Sequence, residues 1–147
     1  MEVASMKVSE LMTKNVVSIS PDESTSLAAR LLYRHNIGSL PVCSSDGKLR
    51  GIVTDRDIVL RCVAAENDPE HTPVREIMSR SPVTASPEDD VRQAAEMMAA
   101  HQVRRLPVTV DGKLVGMLSL GDISRTHSYN MEVSRALSEI SMNIKKR

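Results

Sequence analysis

The sequence contains no phenylalanine and no tryptophan, and its only aromatic residues are Tyr33 and Tyr129. Without a row of rings there is no platform on which the bases of a single strand could stack. The core must instead be built from Leu, Ile, Val, Met and Ala. A surplus of charge is also missing: 19 basic side chains balance 19 acidic ones, so no global field draws the molecule to nucleic acid or to an anionic membrane, and any anion site has to be local. No stretch approaches the roughly 18 consecutive apolar residues of a membrane span. Met1 to Ser5 shows neither the basic nor the apolar region of a signal peptide. A cytoplasmic protein without nucleic-acid or membrane partners is expected. Cysteine is scarce, and Cys43 and Cys62 lie in apolar surroundings with no CxxC spacing and no histidine cluster nearby. They read as buried thiols rather than as a disulfide or a metal site. Also absent are a Gly-rich phosphate loop, a recognisable Ser/His/Asp set and a metal-ligand cluster, so no catalytic residue is assigned and no enzyme is expected.

What is present is an ordinary globular composition, 41% hydrophobic and 26% charged over 147 residues, which argues against wholesale disorder and for one compact module. The dominant pattern is self-similarity at an offset of about 66 residues. Val8-Ser-Glu10-Leu-Met12 falls on Val74-Arg-Glu76-Ile-Met78, and Val17-Ser-Ile-Ser20-Pro21 on Val83-Thr-Ala-Ser86-Pro87. His35 to Val42, with Leu40-Pro41-Val42, falls on His101 to Val108, with Leu106-Pro107-Val108. After a one-residue gap at a turn, Asp46-Gly47-Lys48-Leu49 matches Asp111-Gly112-Lys113-Leu114, and Thr54-x-x-Asp57-Ile58 matches Ser119-x-x-Asp122-Ile123.

Each repeat reads as β-α-β-β-α. Val16 to Ile19 is short and β-branched, a strand signal, and Ser20-Pro21-Asp22-Glu23 predicts a helix capped by Ser20 that runs to Gly38. Leu40 to Cys43 and Leu49 to Thr54 read as a hairpin through Asp46-Gly47, and Asp55 to Ala65 as a second helix. The second repeat gives Val83 to Ala85, Val91 to His101, Leu106 to Val110, Leu114 to Ser119 and a helix after Leu120. The expected division is repeat 1 over 1–65, a polar, proline-bearing linker over 66–73, repeat 2 over 74–127 and a tail over 128–147. Half a module of this size needs the other half to close its core.

The opening Met12 and Met78, the central Leu-Pro-Val, and the closing Gly51-Ile-Val-Thr54-Asp-Arg-Asp57-Ile58 and Gly116-Met-Leu-Ser119-Leu-Gly-Asp122-Ile123 resemble a tandem pair of cystathionine-β-synthase-type (CBS) repeats, a Bateman module. Within that family the chain is similar to small stand-alone bacterial members. The resemblance implies an α/β (α+β) fold with pseudo-two-fold symmetry and two clefts for an adenosine ligand such as AMP, ADP, ATP or S-adenosylmethionine. It implies that Asp57 and Asp122 accept hydrogen bonds from ribose hydroxyls, with Thr54 and Ser119 facing the ribose-phosphate. A carboxylate is an acceptor-only group suited to a diol. The resemblance also puts Arg104 at a phosphate-contacting position, with Arg105 beside it, where the first repeat has Gly38 and Ser39. Arg56 stands in a first helical turn, where its charge opposes the dipole, a hint of a phosphate partner. Val16 and Pro82 carry over as adenine-pocket positions.

Spacing alone gives the Thr-x-x-Asp and Ser-x-x-Asp sets a second role, as helix caps that need no ligand. His35 and His101 fit helix C-termini better than metal binding. Two functional readings follow: a non-catalytic nucleotide sensor acting on a regulated protein, or a ligand-independent dimeric scaffold or stress protein. In the tail, Val133, Leu137, Ile140 and Ile144 predict an amphipathic helix over 130–147 ending in Lys145-Lys146-Arg147. That helix either packs back on its own module or forms a coiled-coil-like seam. Stand-alone relatives are typically homodimers, so a homodimer with this helix at or near its interface is expected, and truncation after His127 would test it.

Overall fold

The computed structural model describes residues 6–125 and 129–146. The boundary at His127 and the side chains of Ile144, Lys145, Lys146 and Arg147 lie outside the described part. The fold is mixed α+β. In chain order come α1 (Val8–Leu11), α2 (Thr25–His35), β1 (Ser39–Cys43), β2 (Leu49–Thr54) and α3 (Asp55–Ile58), the last running into a π-helical turn over Val59–Val63. A 3-10 turn at Val74–Glu76, β3 (Ser79–Arg80), α4 (Val91–His101), β4 (Arg105–Val110), β5 (Lys113–Ser119), α5 (Leu120–Ser124) and α6 (Asn130–Lys146) follow.

The compact units are not the sequence halves. A smaller unit holds Val17–Pro82 with Gly112–Leu114, and a larger one holds the chain up to Val16, Val83–Asp111 and everything from Val115 onward. Each unit therefore contains the opening segment of one repeat and the body of the other. In the smaller unit β2 pairs antiparallel with β1, Leu40 opposite Val53, and with β3 of the other repeat, Gly51 opposite Arg80. In the larger unit Thr13 and Met117 exchange both backbone hydrogen bonds at 2.9 Å.

The conserved-looking grammar of the repeats finds its cause in this exchange. Ser20-Pro21-Asp22-Glu23 does not start a helix. It is a turn, with Glu23 N–H donating to Ser20 C=O, and α2 begins later with Ser24 Oγ accepting from Leu27 N–H at 3.0 Å. The turn carbonyls of Pro21 and Glu23 accept from Arg75 and Val74 N–H, and those of Pro87 and Asp89 accept from Ser9 and Val8 N–H in the same way. The Ser-Pro turn thus satisfies the free N–H groups that open the other repeat's first helical turn. Helix α2 ends at Asn36, which takes the left-handed conformation at φ 52, rather than at Gly38.

The expected strands Val16 to Ile19 and Val83 to Ala85 shrink to single parallel bridges, Ile19 to Val42 and Ala85 to Val108. The next rung of each ladder would need an N–H from Pro41 or Pro107, which proline lacks, so the Leu-Pro-Val motif itself stops the pairing. The hairpins differ as the one-residue gap requires. Asp111 and Gly112 both take positive φ in a two-residue turn, whereas Ser44 to Lys48 form a longer loop with only Gly47 at positive φ. The second helix of the first repeat, expected over Asp55 to Ala65, is α only to Ile58.

Each unit encloses its own apolar cluster. In the smaller unit it is built from Ala28, Leu32, Leu40, Val42, Val53, Cys62, Val74 and Ile77 among others. The larger unit uses Val8, Val91, Met98, Leu106, Leu118, Ile123 and Tyr129. Cys62 is buried and Cys43 half-buried, both as free thiols, and burial pushes the Cys43 thiol up from its ordinary pKa. Two glycines lie in close approaches. A Cβ on Gly51 would meet Ser79 C=O at 2.5 Å, and one on Gly116 would meet Met12 Sδ at 2.6 Å. The opening methionine of each repeat therefore packs on the closing glycine of the other.

Helix α6 packs on its own unit, burying Val133, Ala136 and Ile140 in the larger cluster. Arg92 reaches the Glu132 carboxylate at 3.8 Å and lies 5.6 Å from the centre of the Tyr129 ring, while Gln102 Nε2 donates to Glu139 C=O at 3.2 Å. Leu137, expected on the buried stripe, sits at its edge and is 42% exposed. Among the described residues no helix is long and apolar enough to cross a membrane.

Candidate functional site

The chain leaves the second hairpin strand of each repeat through the same local construction. Thr54 has extended backbone and its Oγ1 accepts from Asp57 N–H at 3.1 Å, while Asp57 Oδ2 accepts from Thr54 N–H at 2.9 Å. Ser119 and Asp122 repeat this at 3.1 and 2.9 Å. Both are reciprocal capping boxes. They bury the two carboxylates almost fully, Asp57 at 9% and Asp122 at 7% exposure, and these are the only buried acidic residues among those described.

The remaining carboxylate oxygens face arginines that spacing could have revealed. Arg61, four residues on, lies 3.9 Å from Asp57 Oδ1 and also donates to the carbonyls of Ile77 and Met78. Arg125, three residues on, pairs with Asp122 Oδ1. On a helix, positions i+3 and i+4 share a face with i, so both partners were legible and were missed. In each repeat the residue after the cap is tied to the strand before it. Asp55 N–H donates to Gly38 C=O at 3.1 Å and Leu120 N–H to Arg104 C=O at 3.0 Å. Gly38 and Arg104 are thus structural equivalents, as the alignment of the repeats predicts.

Their side chains make the two turns different. In the larger unit Arg104 and Arg105 join Ser119, Leu120, Gly121, Ser124, Val133 and Leu137 around a groove of about 360 Å³. One wall is cationic and hydroxylic, the other apolar. This volume lies at the small end of the range for small-molecule sites. In the smaller unit Gly38 and Ser39 bring no charge to the Thr54 turn, and Arg56 projects into solvent with its N–H bonded to Asp55 Oδ1 at 2.8 Å.

Of the sequence-expected site residues, Arg104, Arg105 and Ser119 line one groove of the larger unit, Asp122 is capped against Ser119 but is not among the lining residues, and Thr54, Arg56 and Asp57 share one turn of the smaller unit. Val16 and Pro82 are each half-buried and fall in the unit that does not hold the Asp of their own repeat. His35 ends α2 and His101 ends α4, both exposed. Among the described residues no group of three or more His, Cys, Asp or Glu converges in a way that could hold a metal ion.

Residues 8–63 and 74–128 each match the family model described as CBS domain. Among curated proteins, the CBS domain-containing protein YhcV of Bacillus subtilis is 40% identical over 134 residues, 91% of this chain and 94% of that protein. Among solved structures, the CBS domain pair of protein MJ0100, in complex with 5'-methylthioadenosine and S-adenosyl-L-methionine, superposes with a TM-score of 0.75 at 30% identity. That match covers 85% of this chain and 98% of the other. CBSX2 in complex with AMP gives a TM-score of 0.73 at 28% identity, covering 83% and 96%.

Proposed function

From the premise that this chain belongs to the CBS-domain family, we propose that it is a regulatory module that binds an adenosine nucleotide or S-adenosylmethionine at the Ser119–Asp122 turn and carries out no catalysis. The observation that carries this reading is the convergence of Arg104 and Arg105 with that turn on one groove, against Gly38 and Ser39 at the equivalent turn. Guanidinium groups suit a phosphate, and a carboxylate, being acceptor-only, suits a ribose diol. The likeness to structures solved with AMP and with S-adenosyl-L-methionine supports the ligand class. Binding exchanges Arg125 for ribose hydroxyls at Asp122 Oδ1, so that the nearly buried carboxylate keeps a partner. In this reading the chain works as a cytoplasmic homodimer whose ligand changes what a regulated protein meets, Val16, in the same unit as the Ser119–Asp122 turn, contributes to the adenine pocket, and Pro82 is the equivalent position in the smaller unit.

A thermal-shift series with AMP, ADP, ATP, S-adenosylmethionine and adenosine tests it. A ligand at 100 times its dissociation constant adds about 2.7 kcal/mol to native stability, and in Asp122→Asn that gain is expected to fall by about half or more. No shift at millimolar concentration of any ligand would refute the reading. A second reading, a ligand-independent scaffold, is favoured by one observation: both carboxylate oxygens of Asp57 and of Asp122 already have partners within the chain.

A further inference from the structure

The groove beside the Ser119 turn is not made by the repeats alone. Two of its three apolar lining residues, Val133 and Leu137, belong to α6, and α6 begins at Asn130, beyond the residues 74–128 that match the family model. Val133 is buried and anchors the helix, whereas Leu137, one turn on, remains 42% exposed although it lies beside Arg104 and Arg105. An apolar side chain left half open next to two guanidinium groups offers one ligand both of the surfaces that a nucleoside phosphate needs: a cationic edge for its phosphate and an apolar wall for its base or ribose face. The helix is also held by a few specific contacts that a ligand could tighten: the buried stripe of Val133, Ala136 and Ile140, the Arg92–Glu132 pair and the Gln102–Glu139 hydrogen bond.

We propose that α6 is part of the ligand site, with Leu137 as its specificity-determining residue, so that occupancy of the groove and docking of α6 are thermodynamically coupled. This rests on the nucleotide-binding reading above and adds to it the element through which the ligand is selected and reported. Coupling is reciprocal: whatever loosens α6 weakens the ligand by the same factor by which the ligand steadies α6. The first repeat has no counterpart, because the turn after Asp57 is followed by the π-helical Val59–Val63 rather than by a helix folded back over it.

The test uses the full chain and, as probes, AMP, ADP, ATP and S-adenosylmethionine. Calorimetric titration of whichever probe binds is compared among wild type, Leu137→Ala, Leu137→Met and Met131→Ala, with hydrogen exchange followed along α6. Met131 is on the same helix, 85% exposed and away from the groove. Leu137→Ala is expected to weaken binding about fivefold through lost apolar contact, Leu137→Met to restore it, and Met131→Ala to leave it unchanged. Exchange at residues 133–140 is expected to slow when the probe is bound. A probe whose binding depends on Asp122 but not on Leu137, with α6 exchange unchanged, would overturn the coupling and leave the nucleotide reading standing. Absence of binding by every probe would overturn both.

Discussion

The Thr54–Asp57 and Ser119–Asp122 turns are nearly superimposable in their hydrogen bonds and unlike in everything around them. Each is a reciprocal capping box with matching distances, a nearly buried carboxylate and an arginine on the next turn. Around the first stand Gly38, Ser39 and a π-helical turn that exposes Val59, Leu60 and Val63. Around the second stand Arg104, Arg105 and α6. The comparison teaches that the Asp-bearing motif is first a structural cap, and that the neighbours, not the motif, make the two turns chemically different.

The comparison breaks most sharply on ligand affinity. Asp122→Asn is expected to weaken the bound nucleotide by about tenfold to a hundredfold, as for loss of a hydrogen bond to a charged group, whereas Asp57→Asn leaves it within about a factor of two. Equal losses measured by calorimetry would show that the arginines do not discriminate between the turns. Next in size is a contrast in the glycines that receive the exchanged methionines. Gly51→Ala meets a backbone carbonyl, Ser79 C=O at 2.5 Å, while Gly116→Ala meets the end of the flexible Met12 side chain at 2.6 Å and a backbone carbonyl, Thr13 C=O, only at 3.0 Å. In chemical denaturation Gly51→Ala is expected to cost about 2–3 kcal/mol and Gly116→Ala about 1 kcal/mol. The caps themselves should be equal: Thr54→Ala and Ser119→Ala each lower ligand-free stability by about 1 kcal/mol, and unequal losses would deny the structural equivalence of the turns.

The smallest effect belongs to the smaller unit alone. His71 Nδ1 lies 2.6 Å from Asp68 Oδ2, both exposed, and the hydrogen bond and charge of Asp68 hold the His71 pKa above its ordinary value while His71 holds that of Asp68 below its own. For His71 the added stability is full below its unfolded pKa and is lost as pH rises through its folded one. For Asp68 it is present above the unfolded pKa and is lost as pH falls through the folded one. Titration of the His71 ring protons by NMR should give a midpoint above about 6.5, returning to it in Asp68→Asn.

Much of this was legible in the sequence because it is local. The three-residue spacing of Thr54 and Asp57, and of Ser119 and Asp122, encodes a capping box, and Asp111-Gly112 encodes a tight hairpin. Ser20-Pro21-Asp22-Glu23 misled because it satisfies a helix-start pattern that Ser24 satisfies better, and because the N–H groups it serves come from Val74 and Arg75, more than fifty residues away. The π-helical turn left no signal, since its exposed Val59, Leu60 and Val63 break the apolar period that marks a helix. Nor did the exchange of opening segments. Two similar repeats present similar edges, and self-similarity cannot say which opening segment pairs with which strand. The apolar wall of the groove was hidden because Leu137 reads as one more member of the α6 stripe.

The exchange of opening segments also sets an order of events in time. Met6 N–H donates to Tyr129 Oη across 123 positions, and Val8 N–H to Asp89 C=O. On a ribosome adding about 5–20 residues per second, the segment holding Met6 waits on the order of ten seconds between its own synthesis and that of Tyr129. The body of the smaller unit is all but complete once Pro82 has left the exit tunnel, so it is the part that can close first, while the larger unit remains open until α6 is made. Nascent chains halted before residue 129 should therefore hold one protected core and one that proteases can reach.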